Sequence, residues 1–156
     1  MAGRPAYSVR ARALIIRAGQ VLVFEQVDAG KKWYLLPGGE QKPGETLPET
    51  VARECVEELG CRVRVGELAY VRDYLALNHE HAADGDVHEV ELTFLAELEE
   101  EPDPKRATQP DREDCRPCWL SVDEIDGLDL YPKAARDIIR LVAHGKPHPV
   151  YLGEID

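Results

Sequence analysis

Glu54, Glu57 and Glu58 stand at positions i, i+3 and i+4 of the chain. On a helix turning about 100° per residue they share an arc of roughly 100°. Like charges so close repel, by a few tenths of a kcal/mol per pair. A hard divalent cation reverses that sign. Mg²⁺ or Mn²⁺ prefers oxygen ligands, and it keeps waters and substrate phosphates in its shell. The functional reading of these residues is a metal-binding face. The bland alternative is a solvated acidic face on an acidic protein.

The elements that position them can be argued from residue types. Thr46 is a good N-cap, and Glu49 three residues later makes a capping box. Pro48 lies in the first turn, where a missing N–H matters little. The run holds to Leu59, with Gly60 just past the end. Val51, Ala52, Cys55, Val56 and Leu59 fall on a separate arc that can face a core. Before the helix runs a loop, Gly38-Gly39-Glu40-Gln41-Lys42-Pro43-Gly44-Glu45, whose glycines let backbone approach a ligand closely.

Gly39, five residues, Glu45, seven residues, Arg53-Glu54, an apolar position, any residue, Glu57-Glu58, any residue, Gly60 and a last apolar position: this spacing resembles the full signature of the Nudix hydrolase family. Cys55 and Cys61 fill the two apolar positions, where aliphatic residues are usual; cysteine packs as a small hydrophobe. The resemblance implies that Glu54, Glu57 and Glu58 coordinate Mg²⁺ or Mn²⁺, joined by the Gly38 carbonyl. It implies that Arg53 and Glu45 pair, steadying the loop on the helix. It implies cleavage of a nucleoside diphosphate linked to another moiety. An acidic residue ahead of a Trp-led strand faces the metal site in the family. Here Glu113, ahead of Trp119, has the best matching spacing and is expected as a further metal ligand or as the general base. Glu89 is the reserve, and Glu57 or Glu58 could activate water directly. The implied fold is an α+β, α/β/α sandwich around a central mixed β-sheet, with the pattern covering about residues 7–145.

The length, 156 residues, suits one domain over 1–156, and 44% hydrophobic residues suffice for a core. No apolar run has the length of a membrane span. The start lacks an apolar signal segment, so a cytoplasmic location is expected. A net charge of −11 repels polyphosphate, which argues against stable nucleic-acid binding. The expected partner is a small nucleotide, drawn in by metal ions and a few placed arginines. The lone Cys115-Arg116-Pro117-Cys118 lacks the second pair a zinc site wants, and Cys55 and Cys61 match it poorly. Unpaired reduced thiols are expected. His79, His81 and His88 have no diagnostic metal spacing.

Residues 7–16 read as a strand entering a core. It carries Arg10 and Arg12 on one face, open to phosphate or ribose contact or to a solvated role. Ala18-Gly19-Gln20 reads as a hairpin turn into a strand at 21–26. Residues 28–32 read as a loop, and a short strand from Trp33 delivers the chain to Gly38. Trp33 could stack a base or pack beside the sheet; Tyr74 and Tyr131 are further stacking candidates. Strands are expected at 62–75 and 88–98, with a loop at 76–86 and a charged connection from Glu99. Ser121 and Glu124 suggest another capping box. Pro132 suits position N1 of a second helix with Ala135, Ile138, Ile139 and Val142 inward and Gly145 at its end. The tail, 146–156, is expected to be extended or part of an oligomer contact, a homodimer being open.

The expected activity is pyrophosphate hydrolysis in a nucleoside diphosphate derivative. A non-catalytic nucleotide sensor is the alternative, set second because such proteins usually lack the box carboxylates. An isomerase is third. ADP-ribose-like compounds, sugar nucleotides, dinucleoside polyphosphates and modified nucleoside triphosphates all remain open as substrates.

Overall fold

The computed structural model of the protein describes residues 6–79, 85–108 and 115–156, with Cys115 by its backbone alone. Glu113, Asp111, Asp114 and His81 lie outside the described residues. The strands are β1 (Tyr7–Leu14), β2 (Ile16–Arg17), β3 (Gln20–Asp28), β4 (Lys31–Leu35), β5 (Gly38–Glu40), β6 (Val63–Leu75), β7 (His88–Leu98), β8 (Cys115–Ser121), β9 (Leu130–Tyr131) and β10 (Tyr151–Glu154). Two α-helices, α1 (Leu47–Leu59) and α2 (Arg136–Ala143), complete the main elements.

One sheet runs β10-β6-β7-β1-β5, and a second runs β2-β3-β4-β9 with β8 on β3. Both are mixed. β1 is parallel to β7 but antiparallel to β5, and β4 is antiparallel to β3 but parallel to β9. β1 and β3 contribute to two cores at once. Ala11, Ala13 and Ile15, with Leu22 and Phe24, pack against Val51, Cys55 and Leu59 of α1. Leu14, with Val21 and Val23, packs against Ile138 and Ile139 of α2. That is why these stretches read as continuous apolar runs; a strand covered on both faces has no polar side to alternate with. The layering is the expected α/β/α sandwich, with two mixed sheets forming its middle.

Several details differ from the sequence expectation. Residues 28–32 form no loop: Ala29 and Gly30 have φ of 49° and 79° and close a tight hairpin between β3 and β4. Ala18 and Gly19 do the same between β2 and β3, as expected. Ser121 starts no capped helix; a 3₁₀ turn spans Ile125–Gly127 without a side-chain cap. Pro132 precedes α2 in an extended conformation, and a 3₁₀ turn at Lys133–Ala135 comes between. Val56 is 37% exposed, because it lies at the edge of the apolar arc centred on Val51, Cys55 and Leu59. The tail is extended, and β10 joins β6 as a parallel edge strand.

Candidate active site

The loop and the helix are locked together before any ligand is considered. On β5, Gly38 faces Arg12 and Gly39 faces Ala11. Gly38 has φ of 144°, and a Cβ there would lie 2.2 Å from the Ala11 carbonyl oxygen. A Cβ on Gly39 would lie 2.3 Å from Oε1 of Glu54. The first glycine therefore fits β5 against β1, and the second leaves room for the Glu54 carboxylate. At the start of α1 the Thr46 N–H donates to Glu49 Oε2 (2.8 Å) and the Glu49 N–H donates to Thr46 Oγ1 (3.3 Å). At its end Gly60 has φ of 64° and its N–H donates to the Val56 carbonyl. This capping box and left-handed C-cap are those the sequence indicated.

Arg53 organises the acidic arc. Its Nε donates to Glu45 Oε1 at 2.9 Å and Oε2 at 3.1 Å. Its Nη1 donates to Glu54 Oε1 (3.1 Å) and Glu57 Oε2 (3.2 Å), and its Nη2 to the Glu40 carbonyl (3.0 Å). One guanidinium thus serves three carboxylates and the loop backbone. Among the described hydrogen bonds Glu58 has none to Arg53. The Gly38 N–H reaches Glu58 Oε2 at 3.4 Å. Burial and the adjoining Glu54 carboxylate push the Glu58 carboxyl up to about 9, against the pull of Arg12 and the Gly38 N–H. Two carboxyl groups pressed together in a dry place require a proton or a cation between them.

These residues fit a hard divalent cation. The donors are all oxygen, they line a cavity of about 460 Å³ with Gly38 and Gly39, and Gly39 has no side chain to fill the space beside Glu54. Among the described residues no three His, Cys, Asp or Glu side chains are already drawn into a closed ligand cluster. Arg53 Nη1 holds Glu54 and Glu57 in this arrangement.

Arg10 lines this cavity and a second one of about 640 Å³. Arg12, Trp33 and Tyr131 line the second, together with Arg72 and Tyr74. Trp33 and Tyr131 meet edge to face, 6.4 Å between ring centroids. Arg10 and Arg12 do not lie on a solvated sheet face. Their side chains are 20% and 12% exposed, and they donate to Glu89 and Glu91 at 3.0 Å each. The structure therefore brings Gly38, Gly39, Glu45, Arg53, Glu54, Glu57 and Glu58 into one site, with Arg10, Arg12, Trp33 and Tyr131 in an adjoining one. Glu113 cannot be placed in either, being outside the described residues. Glu89 is engaged by Arg10.

Arg72 and Glu91 escaped the sequence reading. The available signal was matched spacing: Arg10 and Arg12 two apart on one strand, Glu89 and Glu91 two apart on its parallel neighbour. Among the described residues, His79 and His88 have separate partners. His79 pairs with Glu154 and stacks on Tyr74, while His88 pairs with Asp73. Cys55, Cys61 and Cys118 are free thiols. No helix among the described residues is long and apolar enough to cross a membrane.

Residues 6–142 match the family model described as NUDIX domain. A MutT NUDIX hydrolase from Burkholderia pseudomallei is similar at 30% identity with a TM-score of 0.66, covering 87% of this chain and 98% of that one. A NUDIX hydrolase from Nitrosomonas europaea is similar at 23% identity with a TM-score of 0.70, covering 91% and 92%. A protein described as an ADP-ribose pyrophosphatase from Streptococcus suis shares the fold at 19% identity and a TM-score of 0.63, covering 96% and 98%. No significant match was found among curated proteins.

Proposed function

This chain belongs to the NUDIX family and is a pyrophosphohydrolase, and on that footing we propose that Glu54, Glu57 and Glu58 hold Mg²⁺ or Mn²⁺ to cleave a nucleoside diphosphate derivative. Nudix hydrolases generally use divalent metal ions and act on small nucleotides. The Glu54, Glu57 and Glu58 carboxylates and the Gly38 carbonyl would hold such an ion, which would supply Lewis-acid chemistry for activating water and offsetting phosphate charge. The observation that carries the reading is the all-oxygen arc beside Gly39, with the half-buried Glu54 and Glu58 carboxyls in contact.

The chain's own residues have separable tasks in this proposal. Arg53, gripped by Glu45, orients the carboxylates and ties α1 to the loop. The Gly38 carbonyl adds an oxygen at the mouth of the site. Arg10, between the two cavities, neutralises a phosphate that the net charge would otherwise repel. Trp33 and Tyr131 give flat apolar surface to a base or sugar in the larger cavity. Glu57 or Glu58 takes the proton from water, with Glu113 as a further candidate for that role.

The test is a panel of ADP-ribose, sugar nucleotides, dinucleoside polyphosphates and oxidised nucleoside triphosphates, assayed with Mg²⁺ and Mn²⁺ for released mononucleotide or phosphate. On whichever compound is cleaved, Glu57→Gln is expected to lower kcat by about 10² to 10⁴ while far-UV circular dichroism stays unchanged. Near-full metal-dependent turnover by that variant would reject the assignment.

A further inference from the structure

We propose that Glu91 is a positioning residue for the metal-binding loop, transmitting the hold of the C-terminal strand to Gly38 and Glu58. The inference rests on the metal-dependent reading above. Glu91 is fully buried on β7, where a lone carboxylate would be costly. It is bridged on both sides. Arg12 Nε donates to its Oε2 at 3.0 Å, and Arg72 Nε donates to its Oε1 at 3.2 Å.

Each arginine then reaches something distant. Arg12 Nη1 donates to the Leu36 carbonyl at 3.1 Å and approaches the Gly38 carbonyl at 3.4 Å, so it holds the backbone entering the glycine loop. The Gly38 N–H in turn reaches Glu58 Oε2 at 3.4 Å. Arg72 Nη1 donates to the Ile155 carbonyl at 2.8 Å and lies 3.9 Å from Asp156 Oδ1. Nearby, Glu154 accepts from Asn78 and pairs with His79, which secures β10 to the 3₁₀ turn that follows β6. A polar chain thus runs from the tail through Arg72, Glu91 and Arg12 to the oxygen atoms proposed to meet the cation.

The chain is directional because a guanidinium is a rigid planar fork. With Nε fixed on Glu91, the plane of Arg12 is set, and Nη1 is aimed at Leu36 and Gly38. Without Glu91 the fork is no longer fixed, and the Leu36 and Gly38 carbonyls lose the aimed donor that holds them in place.

The experiment measures Mn²⁺ binding to the full chain by electron paramagnetic resonance, with no substrate present. Glu91→Gln is expected to weaken binding about tenfold, in the range seen when groups behind a metal ligand are changed. The double variant Glu91→Gln/Arg72→Met removes the guanidinium left facing an amide and is expected to regain thermal stability without regaining Mn²⁺ affinity. A purely structural Glu91 would show the opposite: lower melting temperature with wild-type Mn²⁺ affinity in either variant, which overturns the proposal. In case neither variant folds, the arginine Nε–Hε resonances of the wild type are followed during Mg²⁺ titration. Arg12 and Arg72 should shift with one common half-saturation, and an unmoved Arg72 overturns the proposal. A wild-type chain that binds no Mn²⁺ sinks the metal-dependent reading itself, and this inference with it.

Discussion

Gly38 and Gly39 are neighbours whose lack of a side chain serves different ends. A Cβ on Gly38 would strike backbone, the Ala11 carbonyl at 2.2 Å, and its φ of 144° is strained for other residues. A Cβ on Gly39 would strike only the movable end of Glu54 at 2.3 Å. Gly38→Ala is therefore expected to destabilise the fold by roughly 3 kcal/mol or more, read by urea denaturation. Gly39→Ala is expected to leave stability within about 1 kcal/mol and to lower kcat/KM about 100-fold by displacing one proposed ligand. Equal losses of stability in both variants would contradict this division. A different lesson comes from Glu58. Its carboxyl is pushed up by burial and by the adjoining Glu54, a pairing that a count of spacings alone does not reveal.

At the scale of elements, α1 was the most legible part of the chain. Both ends are written in local chemistry that does not depend on the rest of the fold. Thr46 and Glu49 close the capping box, and Gly60 takes the left-handed turn. Thr46→Ala is expected to lower stability by about 1 kcal/mol in a denaturant titration, with kcat little changed because Arg53 still grips Glu45. A loss of several kcal/mol, or none, would show that tertiary packing sets the helix start. Elsewhere legibility depended on whether the signal was local. Ala18-Gly19 reads as a turn, and Ala29-Gly30 carries the same two residues with similar φ values where a loop over 28–32 is expected. Pro132 was placed at a helix start, where the structure has an extended residue and then a 3₁₀ turn. The cores were legible as apolar runs, but which sheet each strand joins depends on contacts between distant residues. The salt-bridge partners of Arg10 and Arg12 come from β7, some 79 residues on, so nothing beside them in sequence announced their burial.

The whole molecule carries a net charge of −11 but keeps a largely buried ion-paired cluster of Arg12, Glu91 and Arg72 beside the larger cavity. Burial alone would push Glu91 up; Arg72 and Arg12 more than reverse this and hold its carboxyl at about 2, against an ordinary 4.5. A depressed carboxylate stabilises the fold fully above its unfolded value and loses that contribution as the pH falls through the folded one. The chain should therefore lose on the order of 3 kcal/mol between about pH 4.5 and pH 2 from this group alone. Tryptophan fluorescence during acid titration reads it, and Glu91→Gln should flatten that limb of the curve. An acid limb identical in both proteins would mean that other carboxylates govern the transition.

The parallel docking of β10 on β6 has a consequence for synthesis. Val71 pairs with Tyr151, so about eighty residues of chain separate the two partners. While the polypeptide is being made, β6 is finished long before the strand that covers it. Throughout that interval one border of the first sheet has bare N–H and C=O groups, the kind that recruit a stranger's strand. Arg72 must likewise wait for the Ile155 carbonyl. The nascent protein is thus most vulnerable to mispairing along the same border that the finished protein uses to brace its glycine loop.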